Sequence, residues 1–273
     1  MASIASLHIY PVKSCRGIDV SSFLMTPTGP EWDRRWMIVT AASQFITQRS
    51  HPKLATIAVA VGDGRLTLSA EGRAPLVVDV DHAGESRPVT IWNDECLGID
   101  AGDAAAVWLS EHLDDTLRLV RIDPRRPRLA NAKYVGPDAS AIAFTDGYPI
   151  LMISNESLAE LNRRLPESLP MARFRPNLVI EGVPAHAEDA MTLFRSDSIV
   201  LRGVKLCTRC SVTTTDQLTG ARDPHQQPLR ALGKYRHDYA LKGVVFGQNC
   251  TIVDGIGERL RVGAGLSIDA HQV

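Results

Sequence analysis

The sequence lacks an excess of charge of either sign. Its 273 residues include 30 lysines and arginines and 31 aspartates and glutamates, which gives a formal net charge of −1. A nearly neutral chain offers no general attraction for nucleic acid or for an anionic membrane. We therefore expect neither as a partner, and any basic residues that matter must act locally.

Long apolar runs are also absent. No segment is long enough for a membrane-spanning helix, and the first ten residues lack the basic opening and apolar run of a secretory signal. These absences predict a cytoplasmic protein. The five cysteines are an odd number in a chain whose 44% hydrophobic residues suffice for a core, so a disulfide framework is not expected.

Short strand-like runs dominate the first part of the chain. Alternating and β-branched residues between turn signals predict strands at residues 6–12, 35–40, 45–49, 54–61, 65–70, 76–80, 89–92 and 117–122. One helix is predicted at 104–113, with Asp103 capping its first amides. Prolines and arginines then alternate at 123–128, which predicts a domain boundary there. Arg125, Arg126 and Arg128 fit either a solvated loop or a docking patch for an acidic electron donor.

The second part of the chain returns to strands after one helix. Ser154 is predicted to cap a helix at 155–165, and strands are predicted at 178–181, 199–206, 212–216, 244–253, 259–262 and 266–269. Many short strands with few helices predict a β-rich, mixed α/β, barrel-like fold. We expect two domains, at residues 1–123 and 124–273.

The segment Cys207-Thr208-Arg209-Cys210 is the most informative local motif. As half of a zinc site it would need two more soft ligands. As a thioredoxin-like redox pair it should open a helix after a strand, whereas β-branched residues follow it. It also fits two buried structural cysteines at a strand bend. The motif by itself leaves these three interpretations open.

Four other segments give the cysteine motif a context. They are His8-Ile9-Tyr10-Pro11-Val12-Lys13-Ser14-Cys15-Arg16-Gly17, Trp32-Asp33-Arg34-Arg35-Trp36, Phe174-Arg175-Pro176-Asn177-Leu178 and Phe246-Gly247-Gln248-Asn249. In this order and spacing the chain resembles the MOSC-domain family, and in particular its mitochondrial amidoxime-reducing components and bacterial N-hydroxylated-compound reductases. The resemblance implies an N-terminal β-barrel-like MOSC N domain packed on a C-terminal MOSC β-barrel with a few helices.

The resemblance also implies a molybdenum–molybdopterin cofactor (Moco) whose metal is ligated by Cys210. A soft thiolate suits a thiophilic metal, and the neighbouring charge of Arg209 favours the thiolate form. The family's cofactor-binding positions correspond here to three cations and three shorter polar residues, namely Lys13, Arg34, Arg175, Ser14, Asn177 and Thr208. Buried phosphate requires charge-assisted donors of this kind.

For three other positions near these motifs we do not expect a side-chain role in cofactor binding. Asp146-Gly147-Tyr148 stands where the mitochondrial members carry small hydroxyl residues, so side-chain contacts to the cofactor are not transferred to it. Cys207 is expected to be a buried structural cysteine, and Asp216 to form a local turn at the end of a strand.

The implied activity is reduction of small N-hydroxylated compounds, such as amidoximes or N-hydroxylated bases, with the cofactor supplying the redox chemistry. No cysteine follows Cys250 to ligate an iron-sulfur cluster, and no glycine-rich dinucleotide motif is present. We therefore expect electrons from a separate ferredoxin- or cytochrome-like donor protein. The alternative is a cofactor carrier or sulfur-transfer module, a class that normally joins a pyridoxal phosphate domain, and pyridoxal phosphate is not expected here.

Overall fold

The fold is built on one mixed sheet of nine strands, seen in a computed structural model that describes residues 1–135 and 140–270. The strands are β1 Ser3–Ile9, β2 Ile18–Val20, β3 Ser22–Thr26, β4 Gly29–Pro30, β5 Trp36–Thr40, β6 Ala58–Gly62, β7 Arg65–Ser69, β8 Leu76–Asp79, β9 Ser86–Ile91, β10 Asp94–Asp100, β11 Leu117–Ile122, β12 Arg128–Leu129, β13 Ala141–Ile142, β14 Ile150–Ser154, β15 Leu178–Glu181, β16 Met191–Ser196, β17 Ile199–Thr208, β18 His237–Asp238, β19 Gly243–Asp254, β20 Arg259–Arg261 and β21 Ser267–Ala270. The α-helices are α1 Asp103–Leu113, α2 Ala132–Val135, α3 Asn155–Asn162 and α4 Leu229–Leu232. Short 3₁₀ helices lie at Pro52–Thr56, Met171–Arg173, Ala187–Ala190 and Ser211–Thr214.

The large sheet joins both ends of the chain. Its order is β2-β1-β15-β14-β19-β17-β16-β21, with β18 also paired to β19. The β14–β15 pair is parallel, and β1 runs antiparallel to β15. Because β3 also pairs with β20, the first strands of the chain contribute directly to sheets that are otherwise C-terminal.

A second sheet, of order β5-β11-β10-β9, separates two hydrophobic cores. Successive side chains of a strand point to opposite faces. Along β5, Trp36 and Ile38 enter the core that includes α1, whereas Met37 and Val39 enter the core that contains Phe144. A strand buried on both faces reads as a continuous apolar run, as β5 does, whereas Arg118 and Arg121 interrupt the apolar residues of β11.

The predicted fold class is confirmed, and so is the cap of the second helix. The Ser154 hydroxyl accepts a hydrogen bond from the Ser157 amide at 3.1 Å at the start of α3, which ends earlier than predicted, at Asn162. The cap of α1 was predicted wrongly. Its N-cap is Gly102, and Asp103 lies within the first turn, where its carboxylate accepts from Arg118.

Three predicted strands are wrong in whole or in part. Residues 52–56 form a 3₁₀ helix with a proline at its start, and only the later residues of the predicted run enter β6. The run at 45–49 turns instead, because the amides of Ser50 and His51 donate to the Thr47 carbonyl. Residues 211–214 form a 3₁₀ helix, since the hydroxyls of Thr213 and Thr214 donate to carbonyls three residues earlier.

The arginine-rich segment after β11 is only partly a solvated loop. The Arg125 side chain is exposed and pairs with the carboxylate of Asp123. Arg128, in contrast, is buried and donates to Asp94 and to two backbone carbonyls, so its role is structural. Of the helices in the described residues, none combines the length and apolar character needed to cross a bilayer.

Candidate functional site

A cavity opens where several strands of the large sheet begin or end. It encloses about 830 Å³ of empty space, part of it open to solvent. Because β1 is antiparallel to β15 and β15 is parallel to β14, the end of β1 meets the starts of both other strands. Residues just after β1 and just before β15 therefore face one another, and the end of β17 supplies a third wall.

All of the residues that the sequence predicted for the site line this one cavity. They are Lys13, Ser14, Arg34, Arg175, Asn177, Thr208, Arg209 and Cys210. Three of them, Ser14, Arg34 and Arg175, have left-handed backbone conformations with φ of +68°, +48° and +58°. Residues with side chains rarely adopt this conformation, and it tends to persist at functional sites where the surrounding structure holds it.

Lys13 is buried at the floor of the cavity. Its Nζ donates to the carboxylate of Asp146 at 2.7 Å and to the Phe144 carbonyl at 2.9 Å. Burial lowers the pKa of Lys13, and Asp146 opposes that effect. Desolvation acts to raise the pKa of Asp146, but the charge and hydrogen bond of Lys13 outweigh it and hold that pKa well below its usual range. Asp146, which forms an ion pair with Lys13 at 2.7 Å, compensates the lysine charge.

Arg34 and Arg175 are held by a shared tyrosine ring. Their guanidinium groups lie 4.2 and 4.3 Å from the ring centroid of Tyr10, which is buried. Burial raises the pKa of Tyr10 to about 12, so the phenol stays neutral and its hydroxyl donates to the Pro176 carbonyl. Arg34 also pairs with the buried carboxylate of Asp33 at 2.7 Å, which compensates its charge.

Three arginines lining the cavity, Arg49, Arg175 and Arg209, have no carboxylate partner in the part of the chain that the structure describes. Arg175 is 8% exposed, and its Nη1 donates to Gln217. Burial, together with the charge of Arg34, lowers the pKa of Arg175 to about 10. The cavity thus has an excess of positive charge and suits an anion.

Several buried polar atoms at the cavity also lack a partner among the described residues. They are Nη2 of Arg175, Nε of Arg209 and the hydroxyl of Thr145. Buried donors are nearly always hydrogen-bonded, and an unpaired one costs about 1–3 kcal/mol. The cavity therefore offers unpaired hydrogen-bond donors and cations without a carboxylate partner, and these are the groups that a buried phosphate or pterin requires.

Cys210 is the accessible thiol of the motif. It is exposed at the cavity wall, whereas Cys15 and Cys250 are fully buried. The guanidinium of Arg49 donates to its Sγ at 3.5 Å. Arg209, which the sequence suggested as the charge beside Cys210, instead reaches Sγ of Cys207 at 2.9 Å. Cys207 is half-buried and lines the same cavity, so it is not the deeply buried cysteine that was expected.

Sequence reasoning missed Arg49, Tyr10 and the compensating role of Asp146. Arg49 ends a run that was misread as a strand, and it contacts Cys210 only because residues 161 positions apart meet in the fold. Tyr10 lies inside the first motif, but its contact with Arg34 and Arg175 appears only in the fold. Asp216 forms the expected local turn, since its carboxylate accepts three hydrogen bonds from Leu218 and Thr219, but the turn follows a 3₁₀ helix and not a strand.

The competing interpretations of the cysteine motif find no support in this geometry. Within residues 1–135 and 140–270, no group of three or more His, Cys, Asp or Glu side chains is placed to hold a metal ion. A 3₁₀ turn of four residues follows Cys210, rather than the longer helix that a thioredoxin-like pair opens. The motif therefore offers the exposed thiol of Cys210, with the half-buried Cys207 beside it, at a cation-rich cavity.

Comparison with known proteins identifies two family domains along the chain. Residues 1–116 match the model of the MOSC N-terminal beta barrel domain, and residues 139–267 match that of the MOSC domain. The predicted boundary at 123/124 falls between the two matched regions.

Curated relatives match most of the chain. Mitochondrial amidoxime-reducing component 1 of Mus musculus is 34% identical over 91% of this chain and 77% of its own length. The human component 1 is 33% identical over 86% of this chain and 72% of its length, and component 2 of Bos taurus is 30% identical over 86% and 73%. The chain therefore belongs to the MOSC-domain family, with an N-terminal MOSC N domain, among the relatives of the mitochondrial amidoxime-reducing components.

Proposed function

We propose that this protein is a molybdenum-dependent reductase of small N-hydroxylated compounds, with Cys210 as the metal ligand. The observation that carries the proposal is that one cavity contains both an accessible thiol and a buried cation with an unpaired hydrogen-bond donor. Cys210 is exposed at a cavity that also contains Arg175, whose Nη2 is buried and unpaired in the described structure. The amidoxime-reducing relatives support the reaction type.

The residues present fit the cofactor, and each would have a distinct task. Arg175 and Arg209 would hold the phosphate and pterin with their unpaired donors, since guanidinium groups bind phosphate with fixed, charge-assisted hydrogen bonds. Arg34, locked by Asp33 and Tyr10, would present a pre-oriented second cation. Arg49 would favour the thiolate of Cys210 by its charge.

When bound, the cofactor supplies the two electrons that, with two protons, convert an N-hydroxyl compound into the reduced nitrogen compound and water. The chain's own part is binding, orientation and electrostatics. Asp146 is the carboxylate among the described residues that line the cavity, and its side chain is 68% exposed, so it can accept hydrogen bonds from an entering substrate.

The test is reconstitution of the purified protein with Moco, followed by measurement of bound molybdenum and of benzamidoxime reduction with reduced methyl viologen as donor. We expect wild-type protein to retain molybdenum and produce benzamidine. Cys210→Ser should lose at least about 100-fold in turnover, because the metal loses its protein ligand. Cys207→Ser is the matched control and should keep turnover within about tenfold of wild type.

Two results would contradict the proposal. Equal turnover by wild type and Cys210→Ser would remove Cys210 from the mechanism. Retention of molybdenum without turnover of any N-hydroxylated compound would instead favour the cofactor-carrier alternative. We also propose that electrons come from a separate donor protein, because the sequence has no dinucleotide-binding motif. The cytoplasmic location stays a prediction.

A further inference from the structure

The hairpin between β9 and β10 places an aromatic ring at the rim of the cavity in an unfavourable backbone conformation. Ile91 pairs with Asp94, so the loop consists of Trp92 and Asn93 alone. Trp92 has a φ of +56°, at a loop position where such hairpins favour glycine. A bulky side chain with positive φ is rare and is retained where something else requires it.

The contacts of Trp92 point toward the cavity. Its Nε1 donates to Oδ1 of Asp146 at 3.0 Å. The guanidinium of Arg49, which itself contacts the Cys210 thiol, lies 4.3 Å from the indole centroid. The ring of Phe45 packs at 5.1 Å. Despite these contacts the residue is still 46% exposed, so part of the ring is available to a ligand.

Asp146 completes this rim. The hydrogen bonds that it accepts from Lys13 and Trp92 both go to Oδ1, which leaves Oδ2 without a partner among the described residues. The other charged residues that line the cavity in the described structure are cations. The Asp146 carboxylate and the exposed Trp92 ring therefore suit a hydrogen-bond donor and an apolar group of a ligand, whereas the cations of the cavity suit an anionic group.

We propose that Trp92 and Asp146 form a substrate-recognition rim that selects planar aromatic amidoximes over aliphatic ones and over N-hydroxyl compounds without an amino group. The aromatic ring of the substrate packs on the exposed indole, and its amino N–H donates to Oδ2 of Asp146. The inference rests on the proposed function for the reaction that follows binding, but the rim itself is a binding site and can be tested without turnover.

The experiment measures dissociation constants by calorimetry on the Moco-loaded protein without an electron donor. Benzamidoxime is compared with acetamidoxime, which lacks the aromatic ring, and with benzaldoxime, which lacks the amino group. An aromatic contact should favour benzamidoxime over acetamidoxime by about 2- to 12-fold. A hydrogen bond to a carboxylate should favour it over benzaldoxime by roughly 10- to 100-fold.

Variants of the turn separate recognition from structure. Trp92→Gly should abolish the preference for benzamidoxime over acetamidoxime, and the relief of the positive φ should offset part of the stability lost with the contacts to Asp146, Arg49 and Phe45. Trp92→Phe should keep most of the preference. Asp63→Gly relieves another positive φ, of +49°, in the β6–β7 hairpin, and should leave all three affinities unchanged.

The outcomes are distinguishable from those of the proposed function. An unchanged ratio of affinities in Trp92→Gly would overturn the role of the indole, and equal binding of benzaldoxime would overturn that of the carboxylate. If none of the three compounds binds to wild type, the rim is not a binding site. Selective binding without reduction under any donor would leave the rim standing and refute the reductase.

Discussion

Replacing Arg175 with methionine should stabilise the cofactor-free protein while weakening binding of the proposed cofactor. In most proteins the loss of a buried arginine is destabilising. Here the folded state lowers the pKa of this group from its ordinary value to about 10, chiefly by burial. At about 1.36 kcal/mol per pKa unit, the charged form costs the fold on the order of 3 kcal/mol.

Smaller terms oppose this gain. The substitution loses the hydrogen bond to Gln217, about 1 kcal/mol, and the contact with the Tyr10 ring, about 0.5–1 kcal/mol. The net expectation is an increase of about 1 kcal/mol in the free energy of unfolding at pH 7. Because the folded pKa is the lowered one, the penalty is present throughout the range below about pH 10 and is relieved only above it.

Arg173 provides a matched control two residues away. It is equally buried, but its Nη1 donates to the Thr214 carbonyl and its Nη2 pairs with Asp216. Arg173→Met should therefore cost about 2–3 kcal/mol. Urea unfolding of both cofactor-free variants gives the comparison. If Arg175→Met is destabilised as much as Arg173→Met, Arg175 is a structural arginine and the reasoning fails.

Two further substitutions test the backbone and the electrostatics of the fold. Gly247→Ala should cost about 2–4 kcal/mol in urea unfolding, because φ is +84° and a Cβ would lie 2.7 Å from the Met152 carbonyl, whereas Gly257→Ala, with open space around it, should cost only about 1 kcal/mol. The hydrogen bond from Arg125 lowers the pKa of Asp123 from 3.8 to about 2, so this pair stabilises the fold above pH 4 and the stabilisation is lost between about pH 4 and 2. Arg125→Ala should flatten the loss of stability in that window, measured by unfolding as a function of pH, and a slope equal to that of Arg126→Ala would contradict the assignment.

Strands whose apolar residues recur along the sequence and enter a core were predictable from the sequence. β11 was predicted with its observed bounds because Leu117 and Leu119 face one core while Val120 and Ile122 face the other. The seven residues of β10 were missed, since Asp-Glu-Cys-Leu-Gly-Ile-Asp has little strand propensity and depends on pairing with β9 across a two-residue turn. The pairing with a neighbouring strand determines that such a segment is a strand, and the local sequence does not indicate that pairing.

The sequence predicted which residues line the site, but it did not predict which of their charges are paired. The motifs identified which residues meet at the cavity. They did not reveal that Lys13 is neutralised by Asp146, 133 positions away, or that Arg34 is neutralised by its neighbour Asp33. Which cations lack a carboxylate partner depends on long-range contacts. Because Arg175 is one of these cations and is buried, it is the clearest candidate to bind an anion.

The proposed bond between Cys210 and molybdenum is tested most directly by X-ray absorption at the molybdenum edge of the reconstituted protein. Wild type and Cys207→Ser should show the same sulfur ligation. In Cys210→Ser the spectrum should lose one sulfur scatterer at bonding distance and gain a lighter one. A spectrum of Cys210→Ser that matches wild type would show that the thiolate does not hold the metal, and the account of this cavity would be wrong.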